Sequence, residues 1–245
     1  MKLKSIAFAV VMGSLTAFTL AGSVWVWLFL LGPNSITRLN AIPSDNMIVL
    51  LIVGLSVYFC GGGLWGLGIA RMMNADVKSM VKACALSWVA TGFVFATALG
   101  LSLNQVFQFG GKLPNCCHSY HYYFLSIFVP VIGIVTAINS YVATGKLGFH
   151  ELKKMTGLYA GIAGALGFLT VGLILLYGLG WEVGKPVPGT YGMLKLMQFC
   201  NIGAALAGGM AIGWVLAKSK VNEQQMESFN PPELSRTANY QEKNI

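Results

Sequence analysis

Six long apolar runs, each free of charged residues through its centre, constrain the fold of this chain more than any other feature. They cover residues 6–31, 47–70, 83–103, 124–143, 155–180 and 193–217. A helix needs roughly 20 apolar residues to cross a ~30 Å hydrocarbon core, and each run meets or exceeds that length. Backbone groups in lipid must pair internally, which leaves only helices or a closed barrel. Barrel strands alternate apolar and polar residues over ~10-residue segments. These runs are continuous and longer, so the expected fold is all-α, a polytopic transmembrane helix bundle with six spans.

Composition agrees with lipid as the natural solvent. Of 245 residues, 56% are hydrophobic and 10% charged, where a soluble domain carries about 25% charged residues. The net charge of +8 does not point to nucleic acid, because the basic residues sit in short clusters between apolar runs rather than along one face. Those clusters set an orientation. Lys2, Lys4, Arg71, Lys78, Lys82, Lys146, Lys153, Lys154, Lys218 and Lys220 fall on one side of six alternating spans, and Arg38, Lys112, Lys185 and Lys195 on the other. The richer side belongs in the cytoplasm, so both termini are expected there. Residues 1–220 form the membrane domain on this reading, and 221–245, polar and containing Pro231-Pro232, a flexible cytoplasmic tail.

The first run also resembles a secretory signal, with Lys2 and Lys4 before it and Ala21-Gly22-Ser23 as a weak cleavage site. It continues apolar to Leu31, longer than a signal's apolar region, so it is read as a retained helix.

Glycine supplies the packing signal. There are 30 glycines, and many join other small residues at four-residue spacing inside the runs. Gly62 and Gly66 lie in the second run, Gly92 in the third, Gly157 and Gly161 in the fifth, and Gly209 and Gly213 in the sixth. That spacing puts small residues on one helix face, where backbones can approach closely and gain dispersion contacts that lipid does not match. The triplet Gly61-Gly62-Gly63 carries an alternative reading, a hinge or broken helix at mid-membrane.

No Asp, Glu, Lys, Arg or His occupies the central part of any run. Such residues normally mark proton relays and ion pathways, so a proton-coupled transporter is disfavoured. Haem and retinal are not expected either, since intramembrane histidine ligands and a Schiff-base lysine are both lacking. The paired Asn-Pro-Ala motifs of water channels are absent as well.

Two polar groupings remain. Cys116, Cys117, His118 and His121 lie in an expected outer loop and form a candidate copper or zinc site. No acidic residue completes its shell, and Tyr120, Tyr122 and Tyr123 give the same stretch the character of an interfacial aromatic belt. A bridge from Cys116 or Cys117 to another chain is a further alternative, a bond between the two neighbours being strained. The remaining cysteines, Cys60, Cys84 and Cys200, fall inside the runs and show no CxxC pairing. The second grouping is Asn104 with Gln108 and Gln198 with Asn201, each pair on one helix face near the outer ends of the third and sixth spans, a candidate solute-binding vestibule. Interhelical hydrogen bonding is the competing reading.

Three function classes follow. The first is a non-catalytic subunit or assembly factor of a membrane complex, docking lipid and other membrane subunits or further copies through its small-residue faces. The second is a facilitative channel or carrier for a small neutral or weakly anionic solute. The third is a redox or metal-dependent membrane protein using the Cys-Cys-His loop.

Overall fold

The structure, a computed structural model, describes residues 2–31, 44–108, 117–179 and 189–229. Among these residues the regular structure is entirely helical. The helices are α1 (Lys2–Leu31), α2 (Ser44–Met73), α3 (Val77–Gln108), α4 (Cys117–Lys146), α5 (Lys153–Leu173, continued as a π-turn over Ile174–Gly178) and α6 (Gly189–Phe229). Five of them, α1 and α3 to α6, contain a stretch long and apolar enough to cross a membrane. The second expected run falls in α2, whose described part is diluted by Gly61, Gly62, Gly63, Gly66 and Gly68.

Each helix packs on the next in sequence, and α6 returns to pack along α1, so the helices close a ring. Two short turns are tied down locally. Between α2 and α3, Asn74 takes a left-handed conformation at φ 53°. Asp76 then caps α3, its carboxylate accepting from the Lys78 and Ser79 amides at 3.2 and 3.1 Å. Between α4 and α5, Gly148 at φ 87° supplies the backbone that closes the C-terminus of α4.

The glycines set how closely the ring is drawn. A methyl group at Gly62 would stand 2.6 Å from Trp88 Cβ and 2.7 Å from the Cys84 carbonyl, and one at Gly66 2.9 Å from the Met80 carbonyl, so α2 lies against α3 without room for a side chain. Gly92 of α3 receives the ring of Tyr58 from α2 in return. Gly157 and Gly161 of α5 face Ala137 and Gly133 of α4, while Gly209 and Gly213 of α6 face Ala9, Met12 and Gly13 of α1. The α5–α6 contact rests on Gly167 and Gly203, where each glycine meets the other's carbonyl. The α2 helix continues unbroken through Gly61-Gly62-Gly63, with Gly61 turned to Ser23 of α1 and Gly62 to Trp88 of α3. The triplet is therefore a packing surface rather than a break.

Outward faces are apolar. Phe18, Leu64, Leu158, Leu166 and Phe93 are all more than half exposed, an arrangement suited to hydrocarbon and not to water. Six hydroxyls are satisfied within their own helices: Thr16, Thr19, Ser23, Thr91, Ser140 and Thr156 each donate to the carbonyl four residues back.

Several helix ends depart from the sequence reading, the start of α3 at Val77 rather than 83 among them. The outer loop expected before residue 124 is shorter, because α4 begins at Cys117. The third helix runs past 103 to Gln108. The sixth continues beyond 217 to Phe229, so the first part of the expected tail is helical and only 230–245 falls outside the described residues. Glu, Gln, Met and Lys dominate that extension, and they favour helix once a preceding turn exists to propagate from.

Candidate functional site

Inside the ring is a cavity of about 90 Å³ whose walls come from α1, α2, α3, α4 and α6. One water needs ~10–15 Å³ of this kind of space, so several waters or one small organic molecule fit. The walls include Ile132 and Ala204 from the apolar cluster of α4, α5 and α6, and Trp65, Trp88 and Ile212 from the cluster nearer the α2–α3 turn. The cavity therefore joins the two halves of the core.

Its polar groups are built from neighbouring helices. Trp65 Nε1 on α2 donates to Thr16 Oγ1 on α1 at 3.0 Å, and Thr16 donates onward to the Met12 carbonyl at 2.8 Å. Across the cavity, Asn139 on α4 meets two residues of one α3 face. Its Nδ2 donates to Thr91 Oγ1 at 3.0 Å, and its Oδ1 accepts from Ser87 Oγ at 2.5 Å. Ser140 spends its hydroxyl on the Thr136 carbonyl at 2.6 Å. Two atoms stand outside this closed network: Trp88 Nε1 and Asn201 Oδ1 are buried without a hydrogen-bond partner. Trp88 is 6% exposed and its ring lies 5.7 Å from that of Trp65. Among the described residues, no Asp, Glu, Lys, Arg or His contributes to the wall.

The four amides singled out in the sequence separate. Asn201 lines the cavity, and Gln198, one helical turn away, is half-buried and does not. Asn104 and Gln108 fall on the last two turns of α3, and their side chains lie outside the described residues. Of the candidate metal ligands, Cys117, His118 and His121 fall in the first turns of α4, their side chains likewise outside the described residues, as is the whole of Cys116. Among the described residues no three His, Cys, Asp or Glu side chains gather into a metal site.

Sequence reasoning missed Thr16, Trp65, Ser87, Trp88, Thr91 and Asn139. A signal for some of them exists. Tryptophan in membrane helices concentrates at the headgroup level, whereas Trp65 and Trp88 sit well inside their helices. Asn139 is an amide within the fourth apolar run, and Ser87 and Thr91 present hydroxyls four residues apart.

A second, wider recess of about 920 Å³ lies where α5 and α6 meet the α4–α5 turn, with His150, Glu151 and Lys218 at its rim and Tyr159, Leu166 and Trp214 on its walls. Those wall residues are exposed on the apolar outer face, whereas the first cavity is walled by five helices and holds hydrogen-bonded Thr16, Trp65, Thr91 and Asn139, which makes it the better candidate for selective binding. No protein-family model, curated protein or solved structure matches the chain.

Proposed function

We propose that this chain is a facilitative channel or carrier for a small neutral solute, crossing the membrane six times with both termini in the cytoplasm. The observation that carries the reading is the central cavity, a mostly apolar space with Thr16, Thr91, Asn139 and Asn201 in its wall and, among the described residues, no Asp, Glu, Lys, Arg or His. Polar groups in hydrocarbon are costly unless they are paired or used. A charged solute would meet no counter-charge there, whereas a neutral one would exchange its water hydrogen bonds for those of the wall. The six-crossing topology is supported by the six apolar runs and by the excess of lysine and arginine on one set of loops.

A docking subunit built on small-residue faces has less support. Gly62, Gly66, Gly92, Gly157, Gly161, Gly209 and Gly213 all face helices of the same chain, so these surfaces are already occupied. The test is uptake by reconstituted vesicles: an inward gradient of acetamide should restore vesicle volume faster with the protein than without it. Equal rates would sink the transport reading.

A further inference from the structure

The wide recess between α5 and α6 has the length of one leaflet and a charge at its mouth. Met155, Tyr159, Ile162 and Leu166 follow one another at steps of four, three and four residues, so they share one face of α5. All four are exposed, as is Trp214 on α6. Between them Ala163 and Ala211 are half-buried and short, which leaves a trough where larger side chains would leave a ridge. From Met155 to Leu166 the trough runs eleven residues, which is ~16 Å at ~1.5 Å per residue. Half of a ~30 Å hydrocarbon core is about the same length. An acyl chain entering at the α4–α5 turn is therefore covered along one leaflet.

The mouth lies at an end of the bundle rich in cations. Lys218 lines the recess one turn beyond Trp214, and its ammonium folds back over that indole, 5.7 Å from the ring centroid. The lysine stem lies on the apolar wall while its charge stays at the mouth. Lys153 and Lys154 open α5 beside the same turn, Lys146 closes α4, and Lys220 follows Lys218. Of these, Lys153 is turned to α4, over the ring of Tyr141. His150 and Glu151 line the mouth from the turn, and Glu151 is the one carboxylate of the recess among the described residues. The lysines outnumber it, so the mouth is net positive.

We infer that this recess is a binding site for an anionic phospholipid of the cytoplasmic leaflet, with its phosphate on the Lys218 ammonium and one acyl chain along Tyr159, Ile162 and Leu166. Only the choice of leaflet rests on the six-crossing topology proposed above. Basic pockets between transmembrane helices on the cytoplasmic side attract anionic headgroups, and each lysine near the surface contributes about five-fold in affinity. A zwitterionic head brings its own ammonium to the positive mouth and gains less. A lipid without phosphate gains only the contact of its chains. A second copy of this chain pressed on by the same face would bring its own lysines to the mouth, and like charges oppose that pairing.

The experiment titrates the full chain in detergent with phosphatidylglycerol, phosphatidylcholine and diacylglycerol of equal chain length, and native mass spectrometry counts the bound lipid. One phosphatidylglycerol should bind saturably, at least about five-fold more tightly than phosphatidylcholine, with diacylglycerol weakest. Lys218→Gln should cost phosphatidylglycerol about five-fold in affinity, and Lys218→Arg should keep it. Lys82→Gln, on α3 and outside the recess wall, should change nothing. Ala163→Phe fills the trough and should weaken all three lipids, with thermal unfolding confirming that the variant stays folded. If it does not fold, the comparison of Lys218→Gln with Lys82→Gln decides the matter. Equal affinity for phosphatidylglycerol and phosphatidylcholine, equal losses from the two glutamine variants, or unchanged binding by folded Ala163→Phe would each overturn the assignment. A dimer in detergent that Ala163→Phe dissociates would overturn it too, because the recess would then hold a second copy. Reporter fusions that place Lys153 outside would move the site to the other leaflet and leave binding in detergent intact, whereas failure of acetamide uptake removes the transport reading alone.

Discussion

Trp65 ties α2 to α1 through a single hydroxyl: its indole Nε1 donates to Thr16 Oγ1 at 3.0 Å, and the same oxygen donates to the Met12 carbonyl at 2.8 Å. Thr16→Val keeps the shape and deletes the oxygen, leaving a buried indole N–H unpaired. The expected loss of stability is about 1–3 kcal/mol, read as a lower unfolding midpoint in detergent. Thr16→Ser keeps the hydroxyl and should recover most of the loss. An unchanged midpoint for the valine variant would show that the bond does not hold the two helices.

Glycine substitutions separate close approach from backbone flexibility. A methyl at Gly209 would stand 2.5 Å from Thr16 Oγ1, 2.8 Å from the Met12 carbonyl and 2.9 Å from Gly13 Cα. Two of those neighbours are backbone and cannot rotate away, so Gly209→Ala should push α6 off α1 and destabilise by about 1–3 kcal/mol through overpacking. At Gly22 a methyl meets nothing within 4 Å. Gly22→Ala should be neutral or stabilise by up to about 1 kcal/mol, the difference in helix propensity. Thermal unfolding of the two variants side by side checks the pair, and equal shifts would contradict the packing role of Gly209. Gly161→Leu, placed against Ala137 and Gly133 of α4, should resemble Gly209→Ala and be more severe.

Asn139 couples α4 to α3 through Ser87 and Thr91. Interhelical bonds in membrane proteins average about 0.6 kcal/mol and reach about 1.7 kcal/mol. A double-mutant cycle with Ser87→Ala and Asn139→Ala should return a coupling in that range. Strict additivity would mean that the two side chains do not stabilise each other.

The helices were legible in the sequence because continuous apolar length is a strong signal in one dimension. Their ends were less so. Cys117 to Tyr123 is polar and aromatic and reads as a loop, yet a helix that has already nucleated extends through it. Polar residues after Ala217 likewise continue α6 to Phe229. The four-residue glycine spacing identified faces of close approach, but spacing alone does not say whether a face meets a partner or a helix of the same chain. That distinction needs the ring closure of α6 on α1. The cavity was mostly illegible for the same reason. Thr16, Trp65, Trp88, Asn139 and Asn201 come from five helices, and no local pattern relates them. Only Asn201, as a polar residue in an apolar run, stood out beforehand.

Topology has a direct check. Reporter fusions after Lys4, near Lys78, near Lys153 and after Lys220 should report the cytoplasm, and fusions near Asn40, Asn115 and Gly184 the opposite side, as the distribution of basic residues requires. A cytoplasmic signal near Asn115 would break the six-crossing assignment.

The measurement that bears most directly on a solute path through the ring is acetamide uptake by vesicles containing Ala205→Leu. Ala205 is 7% exposed and lines the cavity, and a leucine there fills space beside Asn201 without adding charge. The expected result is a folded, reconstituted variant whose uptake falls to that of protein-free vesicles, while a lipid-facing control, Leu158→Phe, keeps the full rate. Undiminished uptake through the folded Ala205→Leu protein would contradict passage through the cavity.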